Sequence, residues 1–180
     1  VAHLLSLAGL RPGFFIGGKP VNFAANYRRG QGDFFVSEGD EYETAFFDRS
    51  AKFFKYRPEW LLLTALEHDH IDFYPSEESY LRSFRNLVNQ VPGTGRIIAN
   101  GDYDLARQAV ARALTPVIFY GAQRCAGELS GLEPRSGGYD FSLVVGGDVQ
   151  RFHSPLPGRY NVWNLAAGIL LAHELGVPRS

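Results

Sequence analysis

Three short acidic stretches carry the side chains best suited to chemistry: Glu38-Gly-Asp-Glu-Tyr-Glu, Glu67-His-Asp-His-Ile-Asp and Asn100-Gly-Asp. Each directly follows an apolar run that predicts a strand, namely Phe34 to Ser37, Trp60 to Leu66 and Ile97 to Ala99. In open parallel sheets the ligand crevice lies outside the carboxyl ends of the strands, so the pattern predicts that the three clusters converge there. Carboxylates with one imidazole suit a hard divalent cation such as Mg²⁺ beside a phosphate, because oxygen donors leave coordination positions for water and substrate oxygens. The plainer reading is that loops are acidic because they are solvated.

A rival chemistry uses the same residues. His68, His70 and Asp72 alternate in a way that suits a zinc hydrolase, but such a site needs a further donor. The available ones, His153 and His173, fall on a predicted strand end and in an apolar helix. Gly13, Gly18 and Lys19 have phosphate-loop spacing, yet Pro20 stands where a hydroxyl should hold Mg²⁺, and Phe14 to Ile16 have the character of a strand. In Gly158-Arg-Tyr-Asn-Val-Trp-Asn, Asn161 and Asn164 lie three apart on one helical face, with amides able to read a base edge. An N-terminal cap at Asn161 is the simpler alternative.

The elements that must position these residues alternate between strand and helix. Gly13-Phe-Phe-Ile and Asp33-Phe-Phe-Val-Ser predict buried strands with a polar loop, Val21 to Gly32, between them. Trp60 to Leu66 predicts a strand covered on both faces. A helix capped by Ser76 carries Tyr80, Leu81, Phe84, Leu87 and Val88 inward, and ends near Pro92-Gly93. Arg96 to Asn100 and Pro116 to Tyr120 predict strands around a helix from Leu105 to Leu114. A small antiparallel hairpin is expected between Gly127 and His153, and an apolar helix over Val162 to Leu175. The expected fold is α/β, a mostly parallel sheet flanked by helices with a small antiparallel extension, forming one domain over residues 1–180.

Composition sets the outer bounds. The chain has 180 residues, 45% hydrophobic and 14% aromatic, enough for one core and too apolar for disorder. Eighteen Lys and Arg against 19 Asp and Glu give a net charge of −1, which excludes the global basic field of a general nucleic-acid or anionic-membrane binder. One cysteine, Cys125, excludes an internal disulfide and a zinc-thiolate cluster. Neither of the longest apolar runs, Trp60 to Leu63 and Leu165 to Leu171, reaches the roughly 20 residues a bilayer span needs.

Together, Ser37-Glu-Gly-Asp-Glu-Tyr-Glu-Thr-Ala-Phe-Phe-Asp, Thr64-Ala-Leu-Glu-His-Asp-His-Ile-Asp-Phe-Tyr and Leu156-Pro-Gly-Arg-Tyr-Asn-Val-Trp-Asn-Leu-Ala-Ala resemble the central, ATP-binding domain of the Mur ligase family. That domain is P-loop-NTPase-like. The first stretch, followed by Phe54-Lys-Tyr-Arg-Pro, is more similar to the murein tripeptide recycling branch than to the alanine-adding branch. The resemblance implies ATP and Mg²⁺ as cofactors, and UDP-N-acetylmuramate with a peptide or amino-acid amine as partners, in the cytoplasm. It implies that Glu38 and His70 hold Mg²⁺ and serve catalysis, that Asn161 and Asn164 contact adenine, and that Arg159 touches the nucleotide or muramoyl group.

The chain departs from the family pattern at Ala65, where Asn is usual, at Tyr160, where His is usual, and at Arg85, where several members carry a carbamylated Lys. The family's Gly-rich phosphate loop, expected before a helix like Val1 to Leu7, is not in this sequence, and neither are the flanking N- and C-terminal domains. The expectation is a fragment that alone binds ATP poorly and is inactive. The readings of another class are the zinc hydrolase on His68, His70 and Asp72, and a non-catalytic nucleotide-binding module.

Overall fold

The computed structural model describes residues 1–177. The chain resolves into two compact units, Val1–Tyr56 with the chain from Leu171 onward, and Arg57–Leu170.

The first unit opens with helix α1 (Ala2–Leu7), which buries Ala2 and Leu5 and has no side-chain cap. It continues with a three-stranded sheet in the order β2-β1-β3, in which β1 (Gly13–Phe15) is antiparallel to β2 (Tyr27–Arg28) and parallel to β3 (Phe35–Ser37). β2 lies within the stretch expected to be a loop. Its Arg28 accounts for the difference: the guanidinium donates to Pro12 O at 3.1 Å and Ser6 Oγ at 2.8 Å, over the rings of Phe14 and Phe23. β3 is not buried as expected; it is an edge strand, and Phe35 is exposed. A hairpin of β4 (Glu43–Ala45) and β5 (Asp48–Ala51) follows, with Phe46 and Phe47 exposed at its tip. The 3₁₀ turn Lys52–Lys55 then buries Phe53.

The second unit is built on a six-stranded sheet in the order β11-β10-β9-β8-β7-β6. Strands β6 (Trp60–Leu63), β7 (Arg96–Asn100), β8 (Val117–Gly121) and the start of β9 (Gly127–Arg135) pair in parallel. β10 (Gly138–Val145) and β11 (Asp148–Ser154) then pair antiparallel. The expected hairpin is therefore a three-stranded extension continuous with the parallel sheet. β6 proves to be its edge, and only Leu63 of its four residues is buried, so the two-sided cover expected for it is absent.

The core lies on β7, where Ile97, Ile98 and Ala99 are fully buried. Helix α2 (Glu77–Val88) packs on α3 (Asp104–Val110), and α3 packs on β7. The α2 start is fixed by a reciprocal box: Ser76 Oγ accepts the Ser79 N–H and Ser79 Oγ accepts the Ser76 N–H, each at 3.2 Å. All five apolar residues expected to face inward on α2 are buried. That helix ends at Val88, and α3 ends at Val110, both short of the expected positions. The last helix, α4 (Arg159–Glu174), buries Val162, Ala166 and Ala167 completely. Among the described residues no helix is long and apolar enough to cross a membrane.

Candidate functional site

The carboxyl ends of β7 and β8 are held together by one side chain, Asp102. Its Oδ2 accepts the Ala122 N–H at 2.9 Å and its Oδ1 the Gln123 N–H at 3.3 Å. Its own N–H donates to Asn100 Oδ1 at 3.0 Å, a local turn that Asn-Gly-Asp favours. Gly121 makes this approach feasible: at φ +145, a Cβ there would stand 2.6 Å from Asp102 Oδ1. Arg107 braces the same turn from α3, donating to Gly101 O and, at 3.2 Å, to Gln123 Oε1.

Helix α4 joins this cluster through Trp163, whose indole N–H donates to Asp102 Oδ2 at 2.8 Å. Arg159, one turn earlier, places its guanidinium 5.7 Å from the Trp163 ring. Asn161 is already inside the helix, so the cap reading is overturned: its Nδ2 donates to Pro157 O at 2.6 Å, and among the described residues its side chain accepts from no backbone N–H. Asn164 is exposed. The first turns of α4, which carry Arg159, Asn161 and Asn164, are thus anchored at the sheet's carboxyl end. Asp102 was visible in the sequence only as part of a polar cluster; that a tryptophan 61 positions later selects it is a tertiary fact.

His70 lies in the loop after β6, at the same end of the sheet, with a left-handed backbone (φ 57). Its carbonyl accepts the N–H groups of Phe73 and Tyr74, each at 2.8 Å. His68 Nε2 meets Tyr74 O at 2.9 Å, and its ring lies 5.7 Å from that of Tyr80. His68 is therefore spent on fixing the loop to α2, and Asp72 is exposed. Among the described residues no three His, Cys, Asp or Glu side chains gather to hold a metal, so the zinc ligand set is not assembled.

Glu38 follows β3 of the first unit's sheet, not a strand of the six-stranded one. The expectation that a single sheet would bring all three clusters together is corrected on that ground. The Glu38 carboxylate is exposed, and its Oε2 accepts the Gly17 N–H at 2.7 Å. Gly13, Phe14 and Phe15 form β1, in agreement with the exclusion of a phosphate loop there. Arg85 pairs with Glu78 at 3.3 Å on α2.

The comparisons with known proteins fix the family. The Mur ligase middle domain matches residues 20–172. The chain belongs to the Mur ligase family. It is 36% identical to the UDP-N-acetylmuramate–L-alanyl-γ-D-glutamyl-meso-2,6-diaminoheptandioate ligase of Escherichia coli, over 97% of this chain and 38% of that protein. It is 32% identical to the UDP-N-acetylmuramate–L-alanine ligase of Renibacterium salmoninarum, over 98% of this chain and 37% of that one. Among solved structures it is similar to UDP-N-acetylmuramate:L-alanyl-γ-D-glutamyl-meso-diaminopimelate ligase from Neisseria meningitides, with a TM-score of 0.84, 35% identity, and coverage of 98% of this chain and 56% of that one. The chain thus spans under two-fifths of the length of these curated relatives. The Mur ligase middle domain so recognised is α/β, as the mostly parallel sheet required.

Proposed function

We propose that this chain, residues 1–180 taken as a single middle domain, is the ATP-binding core of a cytoplasmic ligase. The parent enzyme would join UDP-N-acetylmuramate to the amine of the L-alanyl-γ-D-glutamyl-diaminopimelate tripeptide. The observation that carries the reading is the Trp163–Asp102 hydrogen bond, which pins the first turns of α4, with Asn161, Asn164 and Arg159, to the carboxyl ends of β7 and β8. Sheets of this kind take their ligand at that end. The preference for tripeptide over L-alanine rests on the Asp40-Glu-Tyr-Glu-Thr-Ala-Phe-Phe-Asp stretch followed by Phe54-Lys-Tyr-Arg-Pro, and on the higher identity to the Escherichia coli tripeptide ligase than to the Renibacterium salmoninarum alanine ligase.

The reaction balances in two steps. The muramoyl carboxylate attacks the γ-phosphorus of ATP, forming an acyl phosphate and ADP; the amine then attacks the acyl carbon and inorganic phosphate leaves. Asn161 and Asn164 would seat the adenine, and Arg159 would face the nucleotide's charge. Glu38 would offer a hard carboxylate oxygen to one Mg²⁺, and His70 one imidazole to a second near the γ-phosphate. A single protein ligand apiece fits Mg²⁺, which takes one or two protein ligands and completes its shell with water and phosphate oxygens. When bound, the ions neutralise charge on the transferring phosphoryl group. Positioning accounts for the remainder of the catalysis.

The test is ATP-dependent phosphate release by the full-length protein with UDP-N-acetylmuramate and either L-alanine or the tripeptide, for wild type and His70→Ala. Turnover with the tripeptide alone, lost in the variant, is the expected result. Turnover with L-alanine alone transfers the chain to the alanine-adding branch. No turnover with either amine overturns the ligase reading.

A further inference from the structure

We infer that Asp102 is a positioning residue for nucleotide binding: it sets the rotation of α4 about its own axis by capturing the Trp163 indole, and so fixes where Arg159, Asn161 and Asn164 point. The inference rests on the proposed nucleotide site and adds to it a residue that touches no substrate.

Helical geometry supplies the argument. Successive residues turn by 100°, so Arg159 and Trp163, four apart, share one face, while Asn161 and Asn164, three apart, share a nearly opposite one. A bond that holds Trp163 against the sheet therefore directs the two asparagines away from it. The apolar contacts of α4 turn the same face inward, since its buried residues, Val162, Ala166, Ala167, Leu170 and Leu171, cover about half of the circumference with Trp163 near the middle of that arc. Three of the five are small or β-branched and leave some play in the rotation, which the directional Trp163–Asp102 bond narrows.

Asp102 is built to make that bond. Its carboxylate is immobilised by the Ala122 and Gln123 amides, and its backbone by Asn100, so it presents a fixed acceptor to the one indole that reaches it. A carboxylate accepting from three N–H groups makes charge-assisted bonds, roughly twice as strong as neutral ones. The stack of Arg159 on the Trp163 ring passes the same restraint to the guanidinium. Asp102, Trp163 and Arg159 form one continuous chain of contacts, from the strand ends to the first residue of α4.

The experiment uses the full-length protein and the variants Asp102→Asn, Trp163→Phe and the double variant. The amide of Asp102→Asn sets an N–H₂ group against N–H donors, and Trp163→Phe keeps a ring under Arg159 but removes the indole donor. Each single variant is expected to raise KM for ATP at least fivefold while kcat stays within about twofold. The double variant should be no worse than the weaker single one, as required when both remove one interaction. In parallel, the Trp163 indole N–H resonance, assigned by its loss in Trp163→Phe, should be protected from exchange in the wild type and lose that protection in Asp102→Asn. An unchanged KM in both single variants, or effects that multiply in the double one, overturns the inference. If the wild type shows no ATP turnover, the function reading falls, and an indole resonance that is equally protected in Asp102→Asn then overturns the tether as well.

Discussion

The Gly17 N–H donates to Glu38 Oε2 at 2.7 Å, so the loop after β1 holds the carboxylate that follows β3. A Cβ on Gly17 would stand 3.0 Å from that same oxygen, and its three nearest atoms all belong to the Glu38 carboxylate. Because the obstructed atom ends a flexible side chain, Gly17→Ala should leave stability within about 1 kcal/mol of wild type and displace Glu38 instead. In the full-length protein, the Mg²⁺ concentration for half-maximal phosphate release should rise several-fold in Gly17→Ala. Glu38→Ala should lower kcat by roughly 10² or more, the scale of a lost metal or charge-stabilising group. A Gly17→Ala protein with the wild-type Mg²⁺ dependence would remove Gly17 from the site.

Cys125 should be a slow thiol. Burial pushes its pKa above the ordinary value, against the smaller opposing effect of a backbone hydrogen bond, so the thiolate fraction at neutral pH is reduced. Mass-spectrometric labelling at Cys125 should run at least about tenfold slower in the folded protein than in urea at pH 7.5, with a rate that keeps climbing past pH 9. Equal rates in the two states would show that the site is open.

The second unit was largely legible in the sequence and the first in part: α1, β1 and β3 follow predicted elements, whereas β2 and the β4–β5 hairpin do not. Ser76 and the inward residues of α2 could be read because capping and 3.6-residue periodicity are local signals, and β7 because three consecutive fully buried residues leave an unbroken apolar run. β6 carries just such a run, Trp60 to Leu63, yet lies at an edge; periodicity reports apolarity, and strand order is set by pairing. β2 escaped notice because its two residues, Tyr27 and Arg28, are stabilised by partners more than ten positions away. Of the site, Asn161, Asn164 and His70 carry motif signals, whereas the role of Asp102 depends on Trp163, which no window of sequence contains.

The outer face of the antiparallel extension should lose stability in acid. Asp140 accepts from Arg135 Nε at 2.7 Å and lies 2.8 Å from His153 Nδ1, and these partners, Arg135 foremost, hold its pKa below the ordinary carboxylate value. A depressed pKa in the folded state means the contribution is complete above the unfolded value, near 4, and is lost as pH falls through the folded one. Asp140→Asn should therefore lower Tm at pH 6–7, and the gap to wild type should narrow as the pH is taken below the unfolded carboxylate value. A gap that is constant from pH 7 to pH 3 would assign the effect to packing. The groups are solvent-exposed, so the difference should be small and should shrink in high salt.

The Tyr120 hydroxyl offers a test with the opposite sign from most core substitutions. Tyr120 is fully buried, and its hydroxyl, although close to the Asn100 side chain, has no partner at hydrogen-bonding geometry among the described residues. Burial drives the phenol's pKa far above its ordinary value, so the group stays neutral at any working pH. An unsatisfied buried hydroxyl carries a desolvation penalty of about 1–3 kcal/mol, which removal of the oxygen relieves, while the ring and its packing remain. Tyr120→Phe should therefore be neutral or stabilising by about 1 kcal/mol in urea unfolding. Asn100→Ala, which removes the acceptor for the Asp102 N–H from a side chain 1% exposed, should destabilise by about 1–3 kcal/mol. Destabilisation of Tyr120→Phe by more than about 1 kcal/mol would mean that the hydroxyl is paired in solution, with the Asn100 amide as its partner.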